Sequence, residues 1–247
     1  MTLSLIPLGV GDAFSALHYS ACLALQAEGK WLLVDCPHPI RKMLRENGRR
    51  AGAPNLDVGS FEGLVLTHLH ADHASGIEGW GFFHHFVLRR RAIVLTHPWV
   101  ARDLWPGLAP SMGVLARGPE RTKTAYKEED FFEVRTFVDQ TTLGPFTIRC
   151  RTTWHHIPTV ALRIEAGGRT LGYSADTAFD PSLIEWLSDA DLIVHETNLG
   201  GAHTPYEKLA SLDPELRARM RLIAFPDSFD RDASVIAPLV EGERVTL

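Results

Sequence analysis

A short run of metal-ligating side chains constrains this chain more than any other feature. The apolar segment 63–66, long enough for a buried strand, leads directly into Thr67-His68-Leu69-His70-Ala71-Asp72-His73. If the chain stays extended after the strand, His68 and His70 point to the same side and can share one ion. A turn into a helix at Asp72 moves Asp72 and His73 toward a second position. Imidazoles and carboxylates are ligands of zinc-like ions, so the run predicts two adjacent metal sites. The alternative, surface histidines on a loop, requires four ligand-type residues to meet by chance.

Composition limits the class of protein. The 247 residues, 45% of them hydrophobic, are enough for one large core, and we predict a single domain over 1–247. Apolar stretches fall short of the ~20 residues of a membrane span. The first residues lack the basic and apolar pattern of a secretory signal. Three scattered cysteines (Cys22, Cys36, Cys150) predict reduced thiols in a cytoplasmic protein. The net charge of −5 argues against a long nucleic acid as partner.

Predicted strands precede predicted helices in both halves of the chain. In the first half a strand over 3–8 and a hairpin over 21–35 are followed by a short helix at 39–46. The second half has strands at 146–152, 160–165, 170–174, 192–195 and 221–225, and helices at 181–187 and 205–220. This order predicts an α/β sandwich of two sheets with helices outside. Residues 97–126, rich in proline and glycine, predict an inserted helix and loop, either a lid or a surface decoration.

The His-x-His-x-Asp-His run after a strand resembles the signature of the metallo-β-lactamase superfamily. That resemblance implies a four-layer αββα sandwich, with two mixed β-sheets flanked by helices. It also implies a further histidine ligand downstream, where Trp154-His155-His156-Ile157-Pro158-Thr159 offers two candidates. The His-x-Pro-Thr run is similar to the ribonuclease Z and phosphodiesterase-like branch, which assigns the ligand to His156. The alternative ligand is His155.

Later motifs resemble the same branch. Tyr173-Ser174-Ala175-Asp176-Thr177 is similar to the family's Y-S-G-D-T, which implies that Asp176 bridges both metals; the alternative is a turn or helix cap. The resemblance of Val194-His195-Glu196-Thr197, with His203 after it, implies that Glu196 and His203 act near the scissile phosphate. A structural hydrogen bond between the two is the alternative.

The sequence departs from the superfamily at its last metal ligand, which is commonly a histidine after the final strand. No histidine follows His203, and Ala224 or Pro226 occupies the expected place. The second ion would have Asp72, His73 and Asp176, with water, Asp227 or His203 filling the gap; otherwise the second site is weak or empty. Asp227 also suits a turn after Pro226.

The resemblance implies a metal-dependent hydrolase, specifically a phosphodiesterase that acts on a small or cyclic phosphodiester through a metal-activated water. Asp72 would orient that water and His203 would protonate the departing oxygen. Two divalent ions are expected, zinc first, although manganese and iron suit the same ligands. Two alternatives stay open: a lactone or thioester hydrolase on the same metals, and a non-hydrolytic metal- or ligand-binding member. Exposed edges or the apolar insert would support a homodimer.

Overall fold

The computed structural model describes residues 2–119 and 121–247. Fifteen strands lie within these residues: β1 (Ser4–Gly9), β2 (Cys22–Ala27), β3 (Lys30–Val34), β4 (Phe61–Leu66), β5 (Ala92–Thr96), β6 (Val114–Arg117), β7 (Thr122–Ala125), β8 (Phe132–Thr136), β9 (Gln140–Leu143), β10 (Phe146–Thr152), β11 (Val160–Ala166), β12 (Arg169–Tyr173), β13 (Leu192–Glu196), β14 (Met220–Ile223) and β15 (Val245–Thr246). The α-helices of the same residues are α1 (Ile40–Arg50), α2 (Ala71–Ala74), α3 (Ile77–Phe82), α4 (Pro98–Met112), α5 (Glu128–Phe131), α6 (Pro181–Leu187), α7 (Tyr206–Ala210) and α8 (Pro214–Ala218). A 3₁₀ turn (Val58–Ser60) and a π-helical segment (Phe83–Leu88) complete the helical structure.

Two large mixed sheets form the centre of the fold. The first has the order β15-β1-β2-β3-β4-β5-β8, and the second β14-β13-β12-β11-β10-β9. Strands β3, β4, β5 and β8 pair in parallel, as do β12, β13 and β14, whereas the other neighbours are antiparallel. The fold class predicted from the sequence is therefore confirmed.

The first sheet is apolar on both faces because it lies between two layers. Leu5 of β1 and Leu3 just before it belong to the cluster shared with the second sheet, while Ile6 and Leu8 of β1 belong to the cluster shared with the helices. This alternation follows from the two-residue period of a strand. On the helical side, α1, α3 and α4 contribute the buried side chains of Met43, Trp80 and Leu104, among others. On the outer side of the second sheet, α6 buries Leu183 and Leu187.

Most predicted elements are present, with informative exceptions. The region 205–220 contains two short helices, because Pro214 has no N–H and Asp213 caps a new helix through Glu215 N. The insert at 97–126 contains α4 and the β6–β7 hairpin. None of the helices in the described ranges is both long and apolar enough to cross a membrane. The single domain over 1–247 stays a prediction.

The loops that follow the parallel strands lie at one edge of each sheet. In parallel neighbours the carboxyl ends of the strands lie at the same edge, as in other open α/β sheets. Residues at the ends of three of these strands adopt positive φ angles: Asp35 directly after β3 (60°), Ala175 two residues after β12 (49°) and Ala224 directly after β14 (53°). Left-handed backbone at non-glycine residues is costly and clusters at functional sites. This edge is therefore where a site is expected.

Candidate metal centre

The run predicted to bind metal leaves β4 and enters α2 within a few residues. The side chains of His68 and His70 lie on the same side, with ring centroids 5.0 Å apart. His70 has extended backbone angles and precedes the first residue of α2, so the chain turns helical at Ala71. The rings of His68 and His73 lie 4.2 Å apart as a result. The local geometry predicted from the spacing is thus present.

Four residues from three loops form the first ligand group. One ligand atom each from His68, His70, His155 and Asp176 lies within 4.8 Å of all the others. His155 Nε2 lies 3.0 Å from His70 Nδ1 and 3.6 Å from Asp176 Oδ2. His68 Nε2 lies 3.8 Å from the same carboxylate oxygen. Three imidazoles and one carboxylate at such distances are a ligand set for a zinc-like ion.

The downstream residue of this group is His155, whereas the resemblance assigns the ligand to His156, and the assignment to His156 stays a prediction. Residues 155–157 form a bend instead of continuing β10 as an extended strand, and this bend decides which neighbour faces the group. The Nδ1 atom of His155 lies 3.0 Å from the carbonyl oxygen of Ala202, which it can donate to, so Nε2 faces the ligands. His156 lies beside it and lines the adjoining cavity.

A second ligand group consists of Asp72, His73 and Asp176. His73 Nε2 lies 3.5 Å from Asp72 Oδ2 and 3.3 Å from Asp176 Oδ1. Asp176 thus offers one oxygen to each group, the arrangement expected of a bridging carboxylate. Asp176 is 3% exposed, and His68 and His73 are fully buried.

Asp35 lies next to both ligand groups and contacts residues that orient them, Thr67 and His73. Its carboxylate accepts hydrogen bonds from the Thr67 backbone N–H (2.9 Å) and the Thr67 hydroxyl (2.9 Å), and it lies 2.8 Å from His73 Nδ1. His68 Nδ1 lies 3.0 Å from Thr67 Oγ1 and can donate to it, because that hydroxyl's proton goes to Asp35. Such partners hold the Nδ1 proton of a ligating histidine and leave Nε2 free for a metal.

The electrostatics of the two groups favour a cation. Burial lowers the pKa of His68, His70 and His155, so these imidazoles are neutral, the state that binds metal. Burial also opposes the charged form of His73, but the carboxylates of Asp176 and Asp35 outweigh it and raise the pKa of His73. Burial would raise the pKa of Asp176, yet the facing histidines, His73 above all, hold it well below the usual range. The carboxylates therefore stay charged around a position that attracts positive charge.

Orphaned polar atoms test whether these residues fit a metal. Among the described residues, His68 Nε2, His73 Nε2 and Asp176 Oδ1 are buried without a hydrogen-bond partner. Leaving buried polar atoms unpaired costs roughly 1–3 kcal/mol each. All three atoms point into the two ligand groups, so a bound cation would satisfy them together. The donor set fits divalent metal ions.

Asp227, which was considered as a replacement for the missing ligand, lies outside both groups. Its carboxylate accepts hydrogen bonds from Ser15 Oγ (2.5 Å) and Ala16 N (2.7 Å) in the loop after β1. The segment that carries Asp227 begins with Ala224, which directly follows β14 and has a positive φ. Within the described ranges the second group therefore consists of three candidate ligands.

Glu196 and His203 lie against the ligand groups as a pair. His203 Nδ1 is 3.1 Å from Glu196 Oε1, and the two residues form a third cluster with Asp176. Burial raises the pKa of Glu196 to about 7, although His203 acts against this shift. Burial would lower the pKa of His203, but its contact with Glu196 dominates and raises that pKa. A histidine whose Nδ1 is held in this way presents Nε2 to an adjoining space and can donate a proton there.

An open cavity of about 490 Å³ gives access to the site. It is lined by ligand and catalytic candidates and by residues of two loops, Asp12, Ala13, Phe14, His70, Ala71, Asp72, His156, Asp176, Asn198, Leu199 and His203. This volume lies within the range of small-molecule sites. The contribution of the Asp12–Phe14 loop was not predicted, since those residues carry no ligand-type pattern.

Solved structures with similar folds define the class of protein. The metallo-β-lactamase fold protein YhfI from Bacillus subtilis superposes with a TM-score of 0.77 at 19% identity, covering 100% of both chains. The short form of human tRNase Z superposes with a TM-score of 0.69 at 18% identity, covering 98% of each chain. The fold is thus that of the metallo-β-lactamase superfamily, as the resemblance of the metal-ligand run predicted.

Similar sequences show to which family within this superfamily the chain belongs. Residues 3–240 match the family described as Anti-Pycsar protein Apyc1, and the chain belongs to that family. The Anti-Pycsar protein Apyc1 of Bacillus phage 010DV004 is 29% identical over 244 residues, covering 93% of this chain and 91% of the phage protein. The cAMP/cGMP-dependent 3′,5′-cAMP/cGMP phosphodiesterase B of Dictyostelium discoideum is 25% identical over 256 residues, covering 94% of this chain and 21% of that protein.

Proposed function

We propose that this protein is a metal-dependent phosphodiesterase that hydrolyses 3′,5′-cyclic nucleotides. The observation that carries the proposal is one carboxylate, Asp176, shared by two ligand groups beside the pair formed by the buried Glu196 and the cavity-lining His203. The Dictyostelium relative is named as a phosphodiesterase of cAMP and cGMP, which supports this substrate class. The net charge of −5 and the small cavity agree with a small substrate better than with a long nucleic acid.

In this proposal His68, His70, His155 and Asp176 hold one divalent ion, and Asp72, His73 and Asp176 hold the second. Zinc suits this mixture of imidazoles and carboxylates, as do manganese and iron. When bound, such ions lower the pKa of water from near 16 to ~7 and stabilise charge on phosphoryl oxygens. A group of three protein ligands would leave room for a water ligand, as catalytic metal sites do. Asp72, which lines the cavity, orients the attacking water with its carboxylate.

His203 acts as the general acid in this scheme. Its Nδ1 faces Glu196 Oε1 and its ring lines the cavity, so Nε2 can give a proton to the leaving ribose oxygen. Glu196 also accepts a hydrogen bond from the backbone N–H of Thr177 at 2.9 Å. Because Thr177 directly follows Asp176 in the sequence, this bond holds the Glu196 carboxylate near Asp176. Glu196 therefore orients the imidazole and stabilises its protonated form.

Two substrates whose leaving groups differ in their need for a proton test the role of His203 as general acid. We expect His203→Ala to lower kcat for a cyclic nucleotide about 10²–10⁴-fold, the usual contribution of a positioned acid. The loss for bis-p-nitrophenyl phosphate should be much smaller, because p-nitrophenolate departs without needing a proton. His85→Ala provides the matched control, because His85 packs against the rings of Tyr126 and Phe131 and lies outside the cavity lining. Equal losses on both substrates would assign His203 to binding or folding instead.

The substrate class is tested with the purified protein after its bound metals are measured. The panel contains purine and pyrimidine 3′,5′-cyclic nucleotides, bis-p-nitrophenyl phosphate, a lactone and a thioester. We expect metal-dependent turnover of the cyclic nucleotides to the linear monophosphates. Turnover of the lactone or thioester alone would overturn the proposal in favour of a carboxylic ester hydrolase. A metal-loaded protein inert toward every ester would instead indicate a binding protein.

A further inference from the structure

We propose that Phe14 and Leu199 hold the nucleobase of the substrate between them, and that Asp227 is the positioning residue of the loop that carries Phe14. This inference rests on the proposed function, because it assigns the base-binding part of the same site. It goes beyond the metal-ligand run, since none of the three residues belongs to a ligand group.

Phe14 and Leu199 are apolar side chains left in solvent at the mouth of the site. Phe14 is 91% exposed and Leu199 is 73% exposed. Both line the cavity that also contains Asp72, Asp176 and His203. An aromatic ring exposed at the mouth of a binding cavity leaves a large apolar surface available to a ligand. With the phosphate at the ligand groups, the base of a cyclic nucleotide would occupy the part of the same cavity that Phe14 and Leu199 line.

The loop of Phe14 is held by hydrogen bonds on both sides of the ring-bearing residue. The Phe14 N–H donates to Asp12 Oδ1 at 3.0 Å, and Asp12 N donates to the Phe225 carbonyl at 3.3 Å. On the other side, Asp227 accepts from Ser15 Oγ and from Ala16 N. Charge-assisted hydrogen bonds of this kind are the stronger ones. The loop is therefore tied to the segment that follows β14.

This tie gives Asp227 a specific role. The superfamily commonly places its last metal-ligating histidine in the segment after the final strand, where this chain has Ala224 to Asp227. In this chain the segment instead supplies the carboxylate that fixes the Phe14 loop. Asp227 touches neither the ligand groups nor the cavity lining, so it acts through Phe14.

Leu199 comes from the opposite loop, after β13. Its N–H donates to Asn198 Oδ1 at 2.7 Å, and Asn198 N donates to the Thr204 carbonyl at 3.1 Å. Leu199 also lines a neighbouring cavity of about 430 Å³, so it stands at the boundary between the two spaces. A planar base lying between an aromatic ring and an aliphatic side chain is contacted on its faces, which all bases share. Purine and pyrimidine substrates should therefore both be accepted.

A substrate with and without a base provides the test. KM and kcat are measured for a 3′,5′-cyclic nucleotide and for methyl riboside 3′,5′-cyclic phosphate, which keeps the ring phosphate and lacks the base. We expect the wild-type protein to have the lower KM for the nucleotide. Phe14→Ala should reduce this KM advantage about 10- to 100-fold, the range of one base–aromatic stack. Phe14→Trp should keep the advantage, and Asp227→Ala should reduce it with intact Phe14.

Val87→Ala is the matched control, because Val87 is an apolar residue 60% exposed on the π-helical segment and outside the cavity lining. The proposal is overturned if Phe14→Ala raises KM equally for both substrates or leaves the KM ratio unchanged. It is also overturned if Phe14→Ala converts a dimer into a monomer in light scattering, since Phe14 would then cover a second copy. Failure of the proposed function looks different: the wild-type protein would turn over neither substrate.

Discussion

Replacing His68 by alanine should remove bound metal and lower kcat/KM at least about 10³-fold. His68 Nε2 is buried, has no partner among the described residues and points into the first ligand group. A metal ion contributes several kcal/mol of transition-state stabilisation, and ~4 kcal/mol corresponds to about 10³-fold in rate. Losing one of four ligands also weakens the second group, because Asp176 belongs to both.

Metal content by mass spectrometry and initial rates in metal-buffered solution measure this effect. The variant His85→Ala should retain full metal content and activity, because His85 lies outside every ligand group. Circular dichroism melting separates loss of metal from loss of fold. If His68→Ala keeps both its metal and its rate, the assignment of the centre to this run is wrong.

Replacing Asp35 by asparagine should have the largest effect on stability. The fully buried carboxylate of Asp35 accepts from Thr67 twice and lies against His73 Nδ1. Removing one member of a buried charged network costs about 3–5 kcal/mol, because the partner is left uncompensated. Asparagine keeps the size of the side chain, and it tolerates the positive φ of 60° at this position better than alanine. The change therefore isolates the charge.

Asp35→Asn should also weaken metal binding about 10–100-fold, since it loosens the orientation of His73 and Thr67. Denaturant unfolding with excess metal and with chelator separates the two effects: the stability loss should persist with chelator present. Asp103→Asn, an exposed carboxylate paired with Arg102 on α4, should stay within about 0.5 kcal/mol of the wild-type protein. A loss below about 1 kcal/mol in Asp35→Asn would mean that the buried network is not stabilising.

Local patterns in the sequence were sufficient for several elements. Helix α6 matches its predicted bounds, because Asp180 caps it through Ser182 N and Pro181 suits its first position. Strand β10 also matches its prediction over 146–152. By contrast, strands β5, β8 and β15 were not predicted. In the first sheet β8 and β15 are the two edge strands, and β5 pairs with strands that are distant in sequence. Such strands depend on partners that a local pattern does not contain.

The candidate metal centre likewise has some features that follow from the local sequence and others that follow only from the tertiary structure. The sequence by itself determined the side on which His68 and His70 lie and the turn that separates them from Asp72 and His73, because these follow from the periods of strand and helix over six residues. Family resemblance pointed to Asp176, Glu196 and His203, which the fold brings to the same strand edge. Only the tertiary structure placed His155, and not His156, in the first candidate group, because a bend at 155–157 and the Ala202 carbonyl set the orientation of its ring. It alone joined Asp227 to the Phe14 loop, a contact across more than two hundred residues that no local pattern contains.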